Sequence, residues 1–488
     1  MSPSPCVSDE QLKGIIGFLR RAVTPCYLAG GYVRDWLLGQ PSKDVDIVVP
    51  AAAISLARRL ADTTGGAFYA LDEETDAARI VYPVPSDLIV DVAAMRGPDI
   101  VADLKARDFT INAMAIDVGD CFKPQPPILD PCGGQSDLKA RILRATSEQA
   151  FRQDPVRLLR ALRFAAVLGL RIEPRTESWI RRDAHLVTRP AAERIRQELA
   201  LIVAERGAAD HLRRMDGLRL MYYVLPELSA LKGVAQSEPH VHDVYEHTLV
   251  TVRGAERLGA FPDAKLGPIE KEFLRPFAGD LGAHFGQTVC EGRKRSTLLK
   301  FAAMLHDVGK PGTHTVDEDG HIRALGHERV GAETAQKVLI RLRFSAQEIR
   351  LISTIVKHHM RPGWLLKEPS VTRRAIYRFF RDTGDAGVDV MILALADQLA
   401  TRGDTLTREH WRDYLGLAHR MLDNYFRRPE EVVAPPQLVS GRDVMSLLGL
   451  APGPQVGELL EAVREAQAEG LVRTKEEALE FLRQHPAG

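Results

Sequence analysis

A disulfide framework is the first thing this sequence lacks. Its 488 residues hold five cysteines, Cys6, Cys26, Cys121, Cys132 and Cys290, an odd number with no C-x-x-C pair. That usage fits reduced thiols in a cytoplasm better than a disulfide scaffold or a zinc site. No apolar run of about 18 residues is present, so no membrane span is expected. The first residues have neither the basic nor the apolar region of a secretory signal. Net charge is also missing, because 65 Lys and Arg balance 65 Asp and Glu. Any surface for nucleic acid must therefore be local. There is no internal repeat and no low-complexity tract.

What is there is an ordinary globular balance, 45% hydrophobic and 27% charged, over a length that suggests two to four domains. From about residue 25 to 120, short β-rich runs such as Asp46-Ile47-Val48-Val49 and Leu88-Ile89-Val90-Asp91-Val92 alternate with helical stretches. This predicts a small α/β domain. Beyond residue 135 the pattern turns helical, and ten arginines fall between Arg157 and Arg196. Such density points to a phosphate-facing surface. A histidine-bearing helical region follows, then Pro435-Pro436 as a linker and a small helical tail. The expected domains are residues 1–145, 146–235, 236–430 and 431–488.

The chemistry begins at Tyr27-Leu28-Ala29-Gly30-Gly31-Tyr32-Val33-Arg34-Asp35. A short strand ends in two glycines and a helix follows, which lets backbone N–H groups and a helix N-terminus approach a phosphate. Arg34, one turn into the helix, can fork onto phosphate oxygens. Next comes Asp44-Val45-Asp46 at the start of a strand. Residues i and i+2 of a strand share a face, so the two carboxylates project together. Two such neighbours repel unless a cation lies between them, and hard oxygens suit Mg2+. A bare D-x-D is usually a polar strand start; behind a G-G-x-x-R-D turn it is far more specific.

GGYVRDWLLG followed by DVDIVV resembles the polymerase-β-like nucleotidyltransferases, in their class II tRNA nucleotidyltransferase/bacterial poly(A) polymerase branch. The resemblance implies an α+β multidomain protein: a head with a mixed sheet, then all-α neck, HD and tail regions. It makes Asp44 and Asp46 the catalytic metal ligands, with Asp91 a candidate third acid. Arg107-Asp108-Phe109-Thr110-Ile111-Asn112-Ala113 resembles the family's RRD-F-T-x-N-A segment, with Ala106 in place of the first arginine. It implies that Arg107 meets a triphosphate and Asp108 a ribose hydroxyl.

Asp154-Pro155-Val156-Arg157-Leu158-Leu159-Arg160 carries a further possibility. Cytosine and adenine each show an amino donor beside a ring-nitrogen acceptor, which a carboxylate and an arginine at i and i+3 of a helix complement. Uracil and guanine would leave buried groups unpaired, at roughly 1–3 kcal/mol each. Helix capping is the plainer role for Asp154. The segment resembles the family's ED-x-x-R element, which reads CTP or ATP, with Gln153 replacing the glutamate. Arg160 and Arg163 extend the same face toward triphosphate or RNA. Ala192-Glu193-Arg194-Ile195 with Glu198 resembles the next motif, a bracing helix. The stretch Leu71 to Arg79 is a candidate loop for switching between C and A.

Finally, His247, His306-Asp307 and Asp397 follow the H…HD…D order of the HD superfamily. Imidazoles and carboxylates on apolar helix faces need partners, and a divalent metal satisfies them. His327, His358 and His359 would complete a site for one or two divalent transition metals that activates water against a phosphoester, with Lys310 near the phosphate. His314 and His321 read as solvated. The expected activity is transfer of CMP or AMP from CTP or ATP to the 3′ end of tRNA or another RNA, with HD phosphohydrolase activity beside it. Alternatives are a poly(A) polymerase, an enzyme adding only CC or only A, a phosphohydrolase whose head merely binds nucleotide, and a non-catalytic RNA-binding protein.

Overall fold

The computed structural model describes residues 10–23, 25–84 and 87–484. Two compact units divide the chain, residues 1–190 and 191–488, so the division falls inside the expected neck. Cys6 lies outside the described residues; Cys26, Cys121, Cys132 and Cys290 are free thiols. Among the described residues no helix is long and apolar enough to cross a membrane.

The first unit is built on a six-stranded mixed sheet. Its strands are β1 (Tyr27–Ala29), β2 (Asp44–Val49), β3 (Ala67–Asp72), β4 (Ala77–Val81), β5 (Ile89–Ala94) and β6 (Ala115–Asp117), in the order β3-β4-β5-β2-β1-β6. Only β2 and β5 run parallel; the other pairs are antiparallel. Alternation along β2 sorts its side chains. Val45, Ile47 and Val49 enter the main core, whereas Val48 joins a second cluster on the opposite face. Two amphipathic helices cover the first face. Helix α1 (Glu10–Ala22) buries Leu12, Ile15, Ile16 and Leu19, and helix α2 (Ala53–Thr64) buries Leu56, Ala57 and Leu60, the spacing of a single helical stripe. The second face is only partly covered: Ile100 and Leu104 pack on Ala29, Val48 and Ala115. Asp44 stays exposed and Asp46 and Asp91 half-buried on that face.

The expected loop from Leu71 to Arg79 is narrower, a turn at 73–76 with its flanks in the β3–β4 hairpin. Asp72 accepts the N–H groups of Glu74 and Thr75, an Asx-type turn. Asp76 then reaches back to accept the N–H groups of Ala53 and Ile54 at the start of α2. This cap comes from a distant residue, so no local signal revealed it.

The second unit is helical. Helices Val244–Leu258, Arg295–Leu305, His327–Arg341, Ala346–His358 and Ala386–Arg402 pack together, and the last is buried almost throughout. The tail helices Gly441–Leu448, Pro454–Glu469 and Lys475–Gln484 share a core of their own. Buried Glu465 anchors the tail to Arg374 and Arg378. The helical expectation holds beyond the head, with three two-stranded pairs added: Ile142–Leu143 with Arg171–Ile172, Thr288–Cys290 with Arg293–Lys294, and His314–Val316 with Ile322–Ala324.

Candidate active sites

The first site lies on the open face of the sheet. Strand β2 places Asp44 and Asp46 on the side opposite its core residues. Asp46 Oδ2 accepts the Gly31 N–H at 3.3 Å. Burial pushes the Asp46 carboxyl above its ordinary range, Arg107 opposes that, and Asp91 and Asp44 add to it. The strain of adjacent like charges is thus present, and it is the condition a divalent cation relieves. Gly30, at φ +70°, allows the convergence: a Cβ there would sit 2.5 Å from Asp46 Oδ2 and 2.6 Å from Arg107 Nη1. Arg34 donates to Asn112 Oδ1 at 2.7 Å and to Asp35 at 2.8 Å. Three guanidiniums gather around one ring. Arg34, Arg160 and Arg163 stand 5.2, 5.2 and 4.3 Å from the centroid of Phe164.

Asp108 is engaged from several directions, accepting from the Phe109 N–H, Asn112 and Arg160. Burial raises its pKa, but Arg160 and Asn112 outweigh that and hold it below the usual carboxylate range. Asp154 and Arg157 do not share a helix face. Asp154 is extended, at φ −144° and ψ 96°, and the helix begins only at Arg157. Pro155, reached through an extended residue, forces that break. The buried Arg157 guanidinium donates to the carbonyls of Ala150 and Ala106, both at 3.2 Å. Gln153 is exposed.

The second site lies among the helices of the second unit. Asp307 is its hub. One oxygen faces His247 and His306 at 3.4 and 3.2 Å, and the other faces His327 and His359 at 3.3 and 3.8 Å. Asp397 completes the first group, 3.0 Å from His247 Nε2. His306, His327 and His359 each present Nδ1 to a backbone carbonyl, those of Ala303, Ala324 and Val356. That fixes the tautomer and leaves Nε2 as a bare lone pair pointing inward. His247 and His306 then meet Nε2 to Nε2 at 3.2 Å, and His327 and His359 at 3.3 Å. In the His327–His359 pair the two lone pairs face each other in a buried site, which calls for a cation, and two groups bridged by one carboxylate suit two. Burial drives His359 down to about 3, and His306 and His327 add to the effect, so it offers a neutral imidazole.

His358 is not part of this cluster. It sits at the helix C-terminus on the other side, where burial, Arg361 and Lys357 lower its pKa to about 4. One step around a helix turns a side chain by about 100°, so adjacent histidines cannot both face one centre. His240 was not anticipated: its ring lies 5.5 Å from that of His247, with Nδ1 3.1 Å from the Ser237 carbonyl. Lys310 bonds Asp307 and Gln236. Above the cluster opens a cavity of about 670 Å³, its wall including Lys310, Arg323, Trp364, Lys367, Arg402 and Tyr414.

Four family models match the chain. The poly A polymerase head domain covers residues 26–144, a probable RNA and SrmB-binding site of polymerase A residues 169–232, the HD domain residues 244–402, and tRNA nucleotidyltransferase domain 2 residues 325–482. The A-adding tRNA nucleotidyltransferase of Deinococcus radiodurans is 36% identical over 95% of this chain and 98% of its own length. The chain belongs to the tRNA nucleotidyltransferase family. Another relative, the CC-adding tRNA nucleotidyltransferase of Thermus thermophilus, is also 36% identical, over 93% of this chain and 92% of its own. Among solved structures, a CCA-adding enzyme in complex with CTP shares the fold, with TM-score 0.64 and 23% identity over 99% of this chain and 97% of that one. So does the Thermotoga maritima CCA-adding enzyme complexed with tRNA, with TM-score 0.59 and 22% identity over 98% and 94%.

Proposed function

We propose that this chain transfers CMP or AMP from CTP or ATP to the 3′ end of tRNA in the cytoplasm, with Asp44 and Asp46 as ligands of Mg2+. The observation that carries this reading is the carboxylate pair on the open sheet face, with Asp46 against the Gly31 N–H and beside Arg107. The relatives that add A or CC to tRNA support it. When bound, Mg2+ would neutralise the triphosphate and favour ionisation of the attacking 3′-hydroxyl. The protein supplies the rest. Asp44 and Asp46 would hold that ion; the RNA 3′-oxygen bonds the α-phosphate, the bond to the β-phosphate breaks, and pyrophosphate leaves. Arg34, Arg107, Arg160 and Arg163 hold triphosphate oxygens, while the Gly30-Gly31 turn lets backbone come close. Asp154 and Arg157 read the base edge. The two carbonyls held by Arg157 use two of the five N–H donors of a guanidinium and preorganise the remainder.

The paired histidine groups around Asp307 favour a second activity, metal-dependent hydrolysis of a phosphoester. His247, His306, Asp307, His327, His359 and Asp397 would hold one or two divalent ions. Bound there, such ions would activate water for attack at neutral pH. Lys310 and Arg323 would orient the phosphate.

The test is incubation with tRNA lacking CCA, tRNA lacking only the terminal A, and an unrelated RNA, with CTP and ATP supplied singly and together. Extension confined to the tRNAs supports the reading, and product length distinguishes CCA, CC and A addition. Homopolymer growth on the unrelated RNA means a poly(A) polymerase instead.

A further inference from the structure

Charged side chains stand in a row across the open face of the sheet. Arg79 on β4 lies opposite Asp91 on β5, and Asp91 lies opposite Asp46 on β2. Asp46 is opposite Ala29 on β1, and the Arg107 guanidinium closes over the adjoining Gly30. The order across the strands is cation, carboxylate, carboxylate, cation, with Asp44 two residues along β2 on the same face.

Arg79 forks onto Asp91, with Nε to Oδ1 and Nη2 to Oδ2 both at 2.8 Å. A carboxylate offers about four lone-pair sites, and a bidentate guanidinium takes one on each oxygen. The fork therefore engages one lone pair on each oxygen of the one acid that is in register with Asp46, and its positive charge offsets that carboxylate's. Affinity for a hard cation rises with the number of charged oxygen ligands, and this face carries a third that is already committed.

We propose that Arg79 is a positioning residue that withholds Asp91 from the divalent ion of the head and so keeps that ion weakly held until triphosphate oxygens join it. The inference rests on the reading that Asp44 and Asp46 hold the ion. It assigns Asp91 no ligand role in the unmodified protein and makes Arg79 the reason.

The experiment is Mn2+ binding followed by electron paramagnetic resonance, without nucleotide. It uses the full chain carrying Asp307→Ala to silence the second site, with folding checked by thermal melting. Arg79→Met and Arg79→Gln should each tighten Mn2+ binding by about tenfold. Asp91→Asn alone should change it less than about twofold, and added to either Arg79 variant it should restore the original affinity. A purely structural cross-strand pair would move the melting temperature and leave Mn2+ affinity alone. Unchanged or weaker binding in both Arg79 variants overturns the proposal, as does Asp91→Asn weakening binding as much as Asp46→Asn. If Asp46→Asn itself leaves binding intact, the underlying reading of the head is what fails.

Discussion

Phe164 gathers three arginines that would otherwise repel one another. Its ring face supplies the negative potential that lets them converge, worth about 0.5–2 kcal/mol per cation depending on desolvation. Phe164→Leu keeps the apolar volume and removes that face. Steady-state kinetics should show the KM for nucleotide rising about tenfold with kcat nearly unchanged, equivalent to about 1.4 kcal/mol of uniform binding. Phe164→Tyr should stay close to the original. Gly309 makes a different demand: a Cβ there would sit 2.3 Å from the His327 carbonyl and 2.5 Å from Gly331 N. Backbone cannot yield as a side-chain tip can, so Gly309→Ala should displace the His327 helix and abolish phosphohydrolysis while RNA extension persists. The principal side chains were legible as residue types at telling spacings: Asp44 with Asp46, Arg107, and His306 with Asp307. Phe164 was not, because an aromatic beside arginines in a helix reads as core until the fold brings Arg34 to it. His358 misled because adjacency in sequence says nothing about which face of a helix a residue occupies.

Helix Ala346–His358 delivers His359 to the second site from its C-terminal end, and its N-terminus is where it is fastened. Ser345 and Glu348 form a capping box, and Arg293 forks onto the fully buried Glu348. Ser345→Ala should cost about 1 kcal/mol in denaturant unfolding. Burial raises the Glu348 pKa, but Arg293 and Ser345 outweigh it and hold the group below its ordinary 4.5. A depressed carboxyl pKa gives stability that is present above about pH 4.5 and lost as pH falls through the lower folded-state value. Unfolding midpoints measured from pH 6 down to pH 3 should therefore fall less steeply in Glu348→Gln than in the unmodified protein; equal slopes would contradict the assignment. Strands β2 and β5 were legible from their β-branched runs. The turn at 73–76 lies inside the expected loop, but its anchor was not legible, because Asp76 caps a helix distant in sequence. Asp154 belongs to the same lesson, since Pro155 breaks the helical register that its spacing to Arg157 suggested.

At the scale of the whole molecule, the two proposed sites lie in separate compact units, so each activity should be removable alone. Mn2+ should raise the melting temperature of the unmodified chain, because an ion that binds only the folded state stabilises it by mass action. Asp307→Ala should lose most of that rise while keeping RNA extension. His306→Ala should likewise abolish phosphohydrolysis only. The direct test of the central claim is a single-turnover assay of Asp46→Asn with Mg2+, CTP, ATP and a tRNA lacking its 3′-CCA, alongside hydrolysis of a model phosphodiester by the same preparation. Loss of at least about a thousandfold in extension with hydrolysis retained is the predicted result. Extension within about tenfold of the unmodified rate would contradict the account.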